Sequence, residues 1–259
     1  YFASLGALIP YWSLYLKHLG FNIADIGTLM AIIMATKVIS PNIWGWIADH
    51  TGRRVQIIRL ATLFALIAFA GVFLGQGYWW MVAVMCLFSF FWNATLPQFE
   101  ANTMNHLGIN THGYSVIRLW GSFGFILSVI AIGYFIDDSG MFIIPAAIMF
   151  CFVLIAVFSF LVLEGPEQKH HDDQGAIVHV LKQPVVLALL AVCFLAQMSH
   201  GPYYTFYSIY LKQHEYSGNA LGGLWALGVI AEIVVFMYMH KLMPKFGARK
   251  LLMLALLLT

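Results

Sequence analysis

Apolar residues in this chain come in long unbroken runs, not in the alternation of a half-buried strand or the narrow stripe of a surface helix. Runs close to the ~20 residues that cross a hydrocarbon layer recur at about 26–47, 57–75, 78–99, 117–136, 141–163, 184–211 and 220–239. Partial runs stand at both ends, from Tyr1 to Leu16 and from Leu251 onward. The pattern predicts nine helices, the first and last incomplete, with both termini cut and no signal-peptide pattern. Between the second and third runs lies the polar decapeptide GWIADHTGRR, Gly45 to Arg54. Hydrocarbon cannot satisfy backbone polar groups, so a tight turn there must sit at a membrane face.

Composition sharpens this picture. The chain is 61% hydrophobic and 9% charged, against roughly 45–50% and 25% in soluble domains. The environment is the lipid bilayer. Net charge is only +2 and the Lys and Arg residues are scattered, which argues against nucleic acid as a partner. Cys86, Cys151 and Cys193 sit singly in three different runs and read as small core residues, not as a disulfide or metal framework.

Positive charge sets the orientation. With loops after even-numbered spans on the cytoplasmic side, that side holds Arg53, Arg54, Arg59, Lys169, Lys182, Lys241, Lys245, Arg249 and Lys250, against Lys17 and Lys212 outside. Asp137 and Asp138 then face outward. The longest polar stretch, 164–183, reads as a cytoplasmic linker between a six-helix half at 1–163 and a partial second half at 184–259. Its HHDD run at 170–173 reads as a solvated loop, because no flanking ligand has metal-site spacing. No metal or cofactor signature is present.

Sliding the chain on itself by 195 residues gives eleven identities over the 51 positions from 4 to 54. Ser4 meets Ser199, Gly6 meets Gly201, Ser13 meets Ser208, Tyr15–Lys17 meets Tyr210–Lys212, Gly27 meets Gly222, Gly52 meets Gly247 and Arg54 meets Arg249. Six spans separate the copies, so both enter the membrane in the same direction. Such a parallel repeat is the arrangement of two six-helix halves related by an axis along the membrane normal.

Ionisable groups inside spans are costly and mark function. Lys37 lies deep in the second run, and the repeat maps it onto Glu232 in the eighth. Opposite charges at equivalent depths can meet across the two halves, or each can face water alone. If they pair, Glu232 becomes a proton carrier and Lys37 a partner for an anion. Arg118 opens the fifth run and Glu100 closes the fourth, eighteen residues earlier. Arg118 is then an anion ligand or the structural partner of Glu100. Gly121 and Gly124, on the same helix as Arg118, permit close approach of a neighbour. In SHGPYYTFYSIYL, Pro202 is expected to bend the seventh helix and free carbonyls near residue 198. Tyr203, Phe206, Tyr207 and Tyr210 follow helical spacing on one face, and beside His200 they form a candidate substrate wall.

These motifs resemble a known group. GWIADHTGRR closely matches the loop signature between helices two and three of the major facilitator superfamily, with His50 where Lys or Arg is usual. The resemblance implies an all-α membrane bundle of parallel six-helix halves, here truncated to about nine helices, and a gating role for Gly45, Asp49, Gly52, Arg53 and Arg54. RLWGS at 118–122, SHGPYY at 199–204 and LWALGVIAEIVVF at 224–236 look like the phenylpropionate permease family, relatives of lactose permease. Glu100 and Arg118 match in spacing the helix-four Glu and helix-five Arg of the lactose permease sugar site.

The resemblance implies a multi-pass proton symporter of the bacterial inner membrane for a small organic solute such as an aromatic carboxylate. A sugar or nucleoside symporter and a transport-dead sensor are the alternatives. An enzyme is not expected, because the spans carry no HExxH, no GxSxG and no paired aspartates. The site expected is Arg118, Glu100, Tyr203, Phe206 and Tyr207 for substrate, with Glu232, Lys37 and His200 for proton coupling.

Overall fold

The computed structural model describes residues 1–108, 112–166 and 182–257, and its elements there are helical. The HHDD run lies outside the described residues. Helix α1 (Phe2–Leu8) and α2 (Trp12–His18) form the first span, broken around Pro10. They are followed by α3 (Ile23–Thr51), α4 (Arg54–Ala70) with a 3-10 turn at Gly71–Phe73, α5 (Tyr78–Leu107), α6 (His112–Ser139), α7 (Ile143–Ser159), α8 (Pro184–Gln213) and α9 (Gly218–Leu257). Among the described residues six helices, α3 to α6, α8 and α9, are long and apolar enough to cross a membrane, and α7 is a shorter apolar helix. Leu74, Trp79 and Leu257 are about four-fifths exposed, as befits surfaces that meet lipid.

The helices outrun the apolar stretches. α3, α5 and α8 have 29 to 30 residues, or about 45 Å at 1.5 Å per residue, against a hydrocarbon thickness of ~30 Å. Residues expected in loops therefore lie inside helices. The polar decapeptide is not one turn: α3 continues through Gly45 and Asp49 to Thr51, and only Gly52 and Arg53 separate it from α4. Gly52 takes φ 65°, a left-handed conformation that suits glycine at a helix end. The eighth and ninth runs join in α9 across Pro244, interrupted at Gly247, where φ is 75° and ψ is 154°.

The repeat is written into the backbone at the same 195-residue offset. α2 ends at His18 and α8 at Gln213, while α3 starts at Ile23 and α9 at Gly218. Both second helices are capped alike: Asn22 Oδ1 accepts from the Asp25 N–H at 2.8 Å, and Ser217 Oγ from the Ala220 N–H at 3.2 Å. Gly20 and Glu215 both take positive φ, as do Gly52 and Gly247. Ser4 and Ser199 each return a hydroxyl to the carbonyl three residues earlier.

Glycines set the close contacts. A Cβ on Gly121 would lie 2.4 Å from the Phe2 ring, and one on Gly6 2.6 Å from the Phe125 carbonyl oxygen, so α1 lies directly on α6. α6 and α9 touch backbone to backbone where a Cβ on Gly133 would meet the Gly218 carbonyl oxygen at 2.6 Å and one on Gly222 the Val129 carbonyl oxygen at 2.8 Å. The largest buried side chains, Trp12, Trp92, Tyr11, Phe69, Phe88 and Phe152, form the core among α1, α2, α4, α5 and α7. Two of the three cysteines depart from the expected core role: Cys86 and Cys193 are exposed, and Cys151 is half-buried.

Candidate functional site

Arg118 and Glu100 stand about two turns inside α6 and α5, not at their ends, because both helices extend past the apolar runs. They form an ion pair. Tyr114, one turn before Arg118, donates its hydroxyl to Glu100 Oε1 at 3.0 Å. The Arg118 guanidinium carbon lies 5.4 Å from the Phe2 ring centroid. These side chains line a cavity of about 490 Å³ among α1, α5, α6 and α7, with Phe99, Thr103, Trp120 and Cys151 in its wall. Neither residue is sequestered, with Arg118 51% and Glu100 36% exposed at the side chain, so a solute can reach the pair.

The tyrosine wall lies apart from this cavity, and it is not one stripe. Tyr203 and Tyr207 stack at 4.8 Å, and both meet Trp225 of α9, at 5.1 and 5.8 Å. Tyr204, unmarked by the spacing, completes the cluster at 6.2 Å from Trp225, and His200 stacks on it at 5.9 Å. Phe206 turns the other way, its ring tip 3.5 Å from where a Cβ on Gly27 would stand. Tyr210 pairs with His214. Helix α8 runs unbroken through Pro202, and the Ser199 hydroxyl and a His200 ring nitrogen both bond the Ala196 carbonyl at 2.7 Å.

Lys37 and Glu232 do not pair. Among the described residues the ion pairs are Asp49–Arg54, Glu100–Arg118 and Asp137–Lys212, and Lys37 and Glu232 are both exposed. The reason is geometric, since α3 packs on α5 while α9 packs on α6.

At the basic face Arg54 bridges Asp49 of α3 and Gln98 Oε1 of α5, the latter at 3.0 Å. Glu164 accepts the Val55 N–H at 3.1 Å at the start of α4. Arg59 gathers the carbonyls of Ser159, Phe160 and Val162 at the end of α7, at 3.0 to 3.3 Å. A Cβ on Gly45 would lie 3.8 Å from Gln98 Nε2, in ordinary contact. The decapeptide is thus the edge of a polar network that ties four helices together.

At the opposite face Asp137, at the end of α6, accepts from Lys212 Nζ of α8 and from the Gly218 N–H that opens α9, both at 2.6 Å. Tyr11 of the first span donates to the Val129 carbonyl at 2.5 Å beneath it. The buried residues of α9, Gly218, Leu221, Gly222, Trp225 and Ala226, all lie within its first turns. These contacts join the ends of α6, α8 and α9 at this face. Sequence reasoning missed Asp137, Lys212 and Trp225, because their partners come from other helices and no local spacing marks them.

A model of the MFS_1 like family matches residues 1–259. The chain is 26% identical over 260 residues to "Probable 3-phenylpropionic acid transporter" of Escherichia coli (strain K12), covering 98% of this chain and 68% of that protein. It is 27% identical over 267 residues to "Maltose permease" of Geobacillus stearothermophilus, covering 100% and 66%. The fold matches the crystal structure of nucleoside transporter NupG with a TM-score of 0.80 at 15% identity, over 95% of this chain and 65% of that one. The chain thus spans about two thirds of the length of these proteins, which are transporters rather than enzymes. Its long apolar helices and bacterial relatives make it a multi-pass protein of the inner membrane, and the chain belongs to the MFS_1 like family.

Proposed function

We propose that the protein is a secondary active transporter that moves a small organic anion, such as an aromatic carboxylate, together with protons by alternating access. The observation that carries the reading is Arg118 in the wall of the cavity, held by Glu100 and Tyr114. A guanidinium stays charged at any working pH and grips a carboxylate through two parallel hydrogen bonds. An incoming carboxylate competes with Glu100 for it, and a proton on Glu100 would free Arg118 for the substrate. The halves are 1–163 and 184–259, joined by the linker at 164–183, with the basic face toward the cytoplasm. Rocking of parallel halves about a central site is how such repeats work.

Glu232, Lys37 and His200 are the proposed proton-handling groups. Each is ionisable and lies in a span, where an uncompensated charge costs at least ~2.5–3.5 kcal/mol at the bilayer centre. Tyr203 and Tyr207 contribute aromatic faces from the second half, and Phe206 buttresses α3. The network of Asp49, Arg54 and Gln98, with Gly45, Gly52 and Arg53 shaping its turn, biases the balance between access states.

One observation favours a second reading. Glu100 already neutralises Arg118, and a neutral pair with donors and acceptors suits the hydroxyls of a sugar or nucleoside, in keeping with the names of two of the matched transporters. Uptake of radiolabelled aromatic acids, sugars and nucleosides into vesicles, with and without a pH gradient, separates the readings. Accumulation of an acid above its equilibrium level only with the gradient is expected. Gradient-driven uptake of a sugar or nucleoside alone favours the second reading, and binding without accumulation of any solute indicates a sensor.

A further inference from the structure

One of the buried contacts at which the two copies of the repeat differ involves Trp225. Trp225 Nε1 donates to Ser208 Oγ at 3.0 Å. The residues 195 positions earlier are Met30 and Ser13. Met30 has no N–H to give, and Ser13 Oγ is buried with no hydrogen-bond partner among the described residues. The boundary between the two spans, its cap and the positive-φ turns recur in both copies, and the first copy places Met30 where the second has the indole.

What the indole does there is visible in its neighbours. Trp225 is 5% exposed, and Tyr203, Tyr204 and Tyr207 gather on it within 6.2 Å. Tyr203, in front, is 41% exposed. The hydrogen bond to Ser208 stops the indole from rotating, and the indole in turn fixes the tyrosine rings, which have few torsions left to freeze when a ligand arrives. Fixed ring faces select a flat partner, because offset stacking and edge contacts need planarity on both sides. His200 stacks on Tyr204, so an ionisable group flanks the cluster.

We propose that Trp225 is the positioning residue for aromatic-ring selection: Ser208 holds the indole, the indole holds Tyr203 and Tyr207, and these present their faces to a planar solute ring. The proposal rests on reading the chain as a transporter of small organic solutes and adds the residue that separates flat rings from puckered ones.

The test uses the full-length protein in proteoliposomes with two probes, 3-phenylpropionate and 3-cyclohexylpropionate, which share chain length and charge and differ in ring planarity. Wild type should bind the phenyl acid at least ~5-fold more tightly, the scale of one or two aromatic contacts. Trp225→Met copies the first repeat and so should fold; it should bring the two affinities together by weakening only the phenyl acid. Ser208→Ala should do the same in part. A Trp225→Met variant that keeps the wild-type ratio, or weakens both acids equally, overturns the proposal, as does a wild type without preference. A preference present without any response to a pH gradient would sink proton coupling and leave ring selection standing.

Discussion

Arg118 illustrates what a single residue must do here. Lysine keeps the charge but loses the planar fork, so Arg118→Lys should weaken binding of an anionic substrate by about tenfold or more. Cys151 lines the same cavity, so in a background with Cys86 and Cys193 replaced by serine, binding can be read as protection of its thiol from a maleimide. Unchanged protection would reassign Arg118 to structure. Glu232→Gln should abolish proton-driven accumulation yet leave exchange of internal for external substrate, and normal accumulation by that variant would remove its role as carrier. The Glu100–Arg118 contact was legible in the sequence because an 18-residue spacing across one short loop puts two ions at similar depth on neighbouring helices. The Lys37–Glu232 match was equally legible as depth, but depth says nothing of which helix is the neighbour, and α3 and α9 pack on different partners.

At the scale of the element, helix ends were read too early. Apolarity reports hydrocarbon, whereas a helix continues into the headgroup region on polar residues, which is how Asp49 and Glu100 came to lie inside helices. The repeat, by contrast, was readable and proved finer than its eleven identities, since caps and turn conformations repeat even where residues differ. Glu215 shows this: it takes φ 62° where the first copy has Gly20. A left-handed conformation costs a side-chain-bearing residue roughly 1–2 kcal/mol, partly offset by the greater backbone freedom of an unfolded glycine. Glu215→Gly should therefore raise the thermal midpoint in detergent, and a lower midpoint would mean that the side chain stabilises the turn in some other way. Asp49→Asn removes the charge that holds Arg54 against α3. It should slow turnover more than it weakens substrate binding, and equal effects on both would remove the gating role of the decapeptide.

For the whole molecule, α6 and α9 meet where Asp137 joins three helix ends. Asp137→Asn keeps the shape and loses the charge that Lys212 needs. Spin labels at Ser139 and Asn219, on either side of that contact, should show a longer-distance population in the variant, and an unchanged distribution would mean that glycine packing alone holds the two helices together. In the proposed mechanism protons and solute cross together. The direct measurement is of both at once: proteoliposomes holding a pH-sensitive dye, with no imposed gradient, receive an aromatic acid anion at a pH where it stays ionised. The account requires the lumen to acidify as labelled substrate enters, with both signals reduced together in Arg118→Lys and the proton signal lost in Glu232→Gln. Substrate entry at the wild-type rate without any change in lumen pH would contradict it.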